Sequence, residues 1–182
     1  MAGIYIHIPF CVRKCVYCDF YSQTGLDRIP DFLAALETEI GRTPETGQQI
    51  STLYLGGGTP SVLSCGQIDQ ILSAVQKKYS FPADTEVTCE INPGTLNPDR
   101  LADLMNLGIN RLSIGVQSFR PEKLSFLGRI HSREEAVEII EHALEAGFEN
   151  IGLDLMYGLP DETAQEWQAD LDTAVRMAPS HL

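Results

Sequence analysis

Basic residues are scarce in this 182-residue chain: 13 Lys and Arg stand against 25 Asp and Glu, a formal net charge of -12. No Lys/Arg-rich run offsets that balance, which argues against a nucleic-acid polyanion as the main partner. Long apolar runs are missing as well. None approaches the roughly 18 residues that a membrane span needs. No basic segment precedes an apolar stretch in the manner of a secretion signal. A cytoplasmic protein without a transmembrane segment is the expectation. The five Cys are an odd number, and in a reducing compartment a tight cluster plus two scattered thiols reads as a metal site and two bystanders. Against these absences, 43% of the residues are hydrophobic, enough for one compact domain with its own core.

Three of the cysteines are clustered. Cys11, Cys15 and Cys18 follow the apolar run 4–8 in a Cys-x3-Cys-x2-Cys spacing. Three soft sulfur ligands on one short loop can hold three irons of a cubane iron–sulfur cluster, leaving the fourth iron open to a small molecule. The competing reading is a structural zinc site completed by His7. Cys65 and Cys89 stand apart from the triplet and are expected to be buried or inert thiols.

Strand-like runs occupy residues 4–8, 52–55, 86–91, 111–115 and 151–156, and helical patterns occupy 30–41, 64–79, 98–107, 132–146 and 163–177. Ser132-x-x-Glu135 and Thr163-x-x-Glu166 read as capping boxes, Asn97-Pro98 as a helix start, and Gly108 and Gly147 as helix stops. Lone Trp167 is expected to pack a helix against the sheet. Strand and helix alternating at this spacing mean parallel βαβ units, in a doubly wound sheet or a barrel. Polar and glycine-rich segments follow several strands, at 11–18, 56–60, 90–94, 117 and 157–160. All would lie at the C-terminal edge of the sheet, where α/β folds place their chemistry, and this favours a barrel-like enzyme. The segment 178–182 reads as the approach to a sixth strand. Five strands do not close a barrel, so residues 1–182 are expected to be the N-terminal part of a longer protein.

With the triplet placed after the first strand, further motifs fall into line. They are Tyr-Ile-His-Ile-Pro-Phe-Cys at 5–11, Leu-Gly-Gly-Gly-Thr-Pro-Ser at 55–61 and Ile-Gly-Val-Gln-Ser-Phe at 114–119. Leu-Gly-Arg-Ile-His at 127–131 and Asp-Leu-Met-Tyr-Gly-Leu-Pro at 154–160 complete the set. Together they resemble the radical S-adenosylmethionine (SAM) superfamily, in the branch of oxygen-independent coproporphyrinogen III oxidases and related haem chaperones. The resemblance covers nearly the whole chain. It implies an α/β fold, a parallel-stranded partial (β/α) barrel of the radical SAM type truncated after about five β/α units. It also implies a 4Fe–4S cluster on Cys11, Cys15 and Cys18, with SAM chelated at the free iron and cleaved to methionine and a 5′-deoxyadenosyl radical after one-electron reduction.

The SAM contacts carried over are Tyr5, Tyr17, Gly57, Gly58, Thr59, Glu90, Gln117, Arg129 and Asp154. Glu90 is suited to ammonium or ribose hydroxyl groups, Gln117 and Asp154 to the ribose, and Arg129 to a carboxylate. His131 and Phe119 match the family text as residues that shape the site. One departure bears on function. The oxidases carry another cysteine two positions after the third, where this chain has Phe20. Phe20 aligns it with the haem chaperones, which bind haem and deliver it to respiratory haem proteins; the haem site would lie outside this chain. The expected partners are haem, a haem-accepting respiratory protein and an electron donor for the cluster, with a homodimer possible. The alternative is the oxidase, which decarboxylates coproporphyrinogen III to protoporphyrinogen IX.

Overall fold

The computed structural model describes residues 2–44 and 47–182. Five strands, β1 (Ala2–Ile8), β2 (Ile50–Gly57), β3 (Glu86–Ile91), β4 (Arg111–Gln117) and β5 (Asn150–Leu155), form one sheet in the order β1-β2-β3-β4-β5. Every neighbouring pair is parallel. The sequential order decides between the two architectures left open by the sequence: a doubly wound sheet reverses its strand order, whereas a barrel advances one way. The structure is the barrel-type progression.

The connecting helices are α1 (Ile29–Arg42), α2 (Cys65–Gln76), α3 (Leu101–Asn106), α4 (Pro121–Leu127), α5 (Arg133–Glu145) and α6 (Ala164–Arg176). On α2 the buried residues are Ile68, Ile71, Leu72 and Val75, and on α5 they are Ala136, Ile139, Ile140 and Ala143. That i, i+3, i+4, i+7 spacing makes one apolar stripe per helix. The stripes pack on Ile6, Ile8, Leu53, Leu55, Cys89, Ile91, Leu112, Ile114, Ile151 and Leu153 in one continuous core. Alternate strand positions carry Tyr5, His7, Tyr54, Thr88, Glu90, Ser113 and Asp154, and these point to the opposite face.

The two anticipated capping boxes are present, and Ser64 with Gln67 forms a third. Asn97 caps as expected, but the segment after it begins as a tight 3-10 turn, Pro98–Arg100, before α3. Gly108 and Gly147 end their helices at φ of +94° and +100°. Helix α4 had no counterpart in the sequence reading. Trp167 is half-buried and lies outside the core; its ring meets Tyr157, in the loop after β5, at 5.9 Å. Beyond α6, His181 forms a parallel bridge with Gly152, and Leu153 N–H donates to His181 O at 3.0 Å. The segment anticipated as the approach to a sixth strand therefore pairs with β5. Among the described residues, no helix is long and apolar enough to cross a membrane.

Candidate cluster and SAM site

The cysteine loop leaves β1 through buried Phe10 and is stitched at its base. Cys11 N–H donates to Gln23 O at 3.0 Å and Gln23 N–H to Pro9 O at 2.9 Å. Inside the loop, Cys18 N–H donates to Cys15 O at 3.2 Å, a turn that brings those two residues together. Val16 N–H reaches Leu127 O at 3.3 Å, so the end of α4 braces the loop. Cys11 is buried and Cys15 and Cys18 are half-buried; all five cysteines are free thiols. Cys89 is fully buried, and burial pushes its thiol up to about 12, which keeps it protonated and inert as expected. Cys65 is half-buried at the first turn of α2.

The glycine segment after β2 packs directly on this loop. Gly58 N–H donates to Ile8 O at 2.8 Å and Thr59 N–H to Phe10 O at 2.7 Å. A Cβ on Gly58 would stand 2.7 Å from Phe10 O, so two backbones pass where only glycine fits. Gly57 adopts φ of +113°, and its N–H donates to Glu90 Oε2 at 3.0 Å. Buried Thr59 donates its hydroxyl to Cys11 Sγ at 3.4 Å.

The carboxylates are already partnered. Tyr54 OH donates to Glu90 Oε1 at 2.8 Å, so both oxygens of Glu90 accept a hydrogen bond. Burial still raises Glu90 above the usual carboxylate range, against the lowering effect of those two bonds. Ser113 OH donates to Asp154 Oδ2 at 3.1 Å, and burial raises Asp154 as well. Arg129 donates to Gly115 O, to Tyr17 OH at 3.4 Å and toward Cys15 Sγ at 3.7 Å. Burial pushes the Tyr17 phenol up to about 12. The buried Arg129 Nε has no hydrogen-bond partner among the described residues. A Cβ on Gly115 would stand 3.1 Å from Gln117 Nε2 and 3.4 Å from Arg129 Nη2, so a side chain there would crowd both.

These groups surround one cavity of about 250 Å³. Cys11, Cys15, Cys18, Tyr17, Gly57, Gly58, Thr59, Glu90, Gln117, Arg129 and Asp154 all line it. Residues from six separate segments of sequence thus meet at the C-terminal ends of the strands. Of the cluster ligands and SAM contacts carried over, only Tyr5 stays off the cavity; His131 and Phe119 are buried and do not line it. Tyr5 is 57% exposed, its hydroxyl faces His7 Nδ1 at 3.2 Å, and its ring stacks on Tyr54 at 5.8 Å. His7 Nε2 donates to Tyr21 O at 2.8 Å, since a carbonyl can only accept; Nδ1 then accepts from Tyr5. Both nitrogens of the zinc reading's fourth ligand are engaged elsewhere.

Ser113 and Asn92 line the cavity and Tyr54 holds Glu90 from behind it; none of the three was singled out from sequence. Alternation on β2 and β4 places Tyr54 and Ser113 on the face of Glu90 and Asp154, which was the available signal. The donor set fits the implied groups. Three thiols edge the cavity, the soft donor set that an iron–sulfur cluster takes. The guanidinium of Arg129, with its Nε buried and unpartnered among the described residues, is a planar cation suited to a carboxylate.

Comparison with known proteins agrees with this geometry. Residues 5–174 match the family model described as the radical SAM superfamily. The chain belongs to that superfamily. It is 43% identical to the heme chaperone HemW of Escherichia coli over 99% of this chain and 49% of the relative. It is 38% identical to HemW of Bacillus subtilis over 100% of this chain and 49% of the relative. The chain thus spans about half the length of the curated relatives it matches. The structure of coproporphyrinogen III oxidase (HemN) from E. coli, described as a radical SAM enzyme, superposes with a TM-score of 0.90 at 35% identity. That match covers 97% of this chain and 42% of the oxidase.

Proposed function

We propose that this chain is the cluster- and SAM-binding part of a haem chaperone, acting in the cytoplasm within a longer polypeptide. The observation that carries the reading is the single cavity shared by the three cysteines and the polar ends of β2–β5. Cys11, Cys15 and Cys18 hold a 4Fe–4S cluster. When bound, the cluster supplies one electron to the SAM sulfonium. Gly57, Gly58 and Thr59 seat the methionine end, with Glu90 accepting from its ammonium group and Arg129 donating to its carboxylate. Gln117 and Asp154 hydrogen-bond the ribose, Tyr17 borders the adenine, and Tyr5 acts from off the cavity, stacked on the Tyr54 whose hydroxyl holds Glu90. Glu90 and Asp154, raised by burial, gain stabilisation of their charged forms when a cationic sulfonium and ammonium arrive.

Delivery of haem to a respiratory haem protein is favoured over oxidation by identity to the HemW group and by Phe20, which lines the cavity at the position of the oxidases' additional cysteine. The fold superposition on HemN favours the second reading, coproporphyrinogen III oxidase. The test uses anaerobically reconstituted protein of full natural length. Haem titration followed by transfer to an apo-haem protein is expected to succeed. Conversion of coproporphyrinogen III to protoporphyrinogen IX with SAM and reductant would reverse the assignment.

A further inference from the structure

Gln117 ends β4 at φ of +69°, in the left-handed region that few residues other than glycine adopt. The ladder between β4 and β5 shifts register between Gly115 and Gln117, so the strand bulges where the Gln117 side chain enters the cavity. A backbone held in such a conformation persists only where its surroundings over-determine it. Three contacts do so here. Met156 N–H donates to Gln117 O at 2.8 Å. Buried His131 donates from Nε2 to Val116 O at 3.2 Å. The third comes from α6, on the other side of the sheet from the cavity.

Asp170 is 2% exposed, one of only two buried residues on α6, the other being Ala174. An apolar residue would fill that position at lower cost than a carboxylate does. Asp170 Oδ2 accepts from Ser118 OH at 2.6 Å and Oδ1 from Phe119 N–H at 3.3 Å, while Ser118 Oγ accepts Arg120 N–H at 3.1 Å. Three consecutive residues after the bulge are thereby tied, directly or through one hydroxyl, to a single side chain.

We propose that Asp170 is a positioning residue: from outside the cavity it locks the left-handed bulge of β4 and so aims the Gln117 side chain at bound SAM. The ligand half of this rests on the assignment of Gln117 as a SAM contact. The experiment uses reconstituted holoprotein carrying Asp170→Ala, Ser118→Ala, Gln117→Ala, and Asp170→Ala combined with Gln117→Ala. In Asp170→Ala the Met156 amide, bonded to the Gln117 carbonyl, exchanges with solvent about tenfold faster. Equilibrium dialysis of labelled SAM gives a Kd raised about tenfold, the worth of one hydrogen bond. In the Gln117→Ala background the Asp170 change adds nothing. Unaltered Met156 exchange, or equal weakening in both backgrounds, overturns the proposal. If Asp170→Ala does not fold, Ser118→Ala removes one of the two donors and carries the same measurements. Should Gln117→Ala bind SAM like the parent, the Gln117 assignment falls and takes the ligand half with it; Met156 exchange alone then decides the lock.

Discussion

The two faces of the sheet are made from the same strands and obey opposite rules. On the helix-packed face, Ile8, Leu55, Cys89, Leu112 and Ile114 are fully buried and interchangeable in kind: each contributes by filling space. On the cavity face, Tyr54, Glu90, Ser113 and Asp154 are hydrogen-bonded in specific pairs across neighbouring strands. Parallel sheets covered on both faces read as continuous apolar runs. Here only one face is covered in that way, and alternation assigns stability to one side and chemistry to the other.

That division is testable from both sides. The largest effect is on the cavity side: Cys15→Ser is expected to abolish cluster assembly while costing little stability, because Cys15 is half-buried on a loop. Iron and sulfide content measured beside a denaturant midpoint checks it, and unchanged iron contradicts the ligand assignment. The mirror experiment is Ile114→Ala, expected to cost about 2–5 kcal/mol in unfolding free energy through the cavity it leaves. Urea unfolding measures it, and a loss below about 1 kcal/mol would mean that the helix-packed face is not the principal core.

Next comes Glu90→Gln, which keeps the shape but removes the charge. SAM affinity should fall by about 1.5–3 kcal/mol, the range for hydrogen bonds to charged groups. Equal affinity would remove Glu90 from the binding set. The smallest effect is on pH dependence. Burial raises the folded-state pKa of Glu90, so the folded protein holds its proton more tightly than the unfolded chain. The resulting penalty is absent below the ordinary carboxylate pKa and grows as pH rises through the raised one. Glu90→Gln should therefore gain stability relative to the parent on going from about pH 4 to about pH 7. A stability difference that is flat with pH would refute it.

Much of this was legible in the chain. The five strands, two capping boxes and the cysteine triplet follow from local pattern alone, because period-2 alternation and cap chemistry act within a few residues. Helix α4 escaped because it is seven residues long and its N-cap, Arg120, makes no side-chain cap. Pro121 at its start and Gly128 at its end, with φ of +73°, were the signals available. Tyr5 illustrates the reverse case. Its strand and face were readable, but not that His7 and Tyr54 would hold its ring outside the cavity. Asp170 could not be read as more than a helix polar residue, because its partners lie 51 and 52 positions away.

By itself the amino-acid order determined which segments become strands and helices and which side chains share a face, since both depend on spacing along the chain. It also determined the thiol spacing that marks the cluster loop. Only the tertiary structure decided that eleven of the twelve candidate residues line one cavity and that an α6 carboxylate grips the end of β4. The physical reason is distance: these contacts join groups far apart in sequence, and their geometry exists only once parallel strands have set their register.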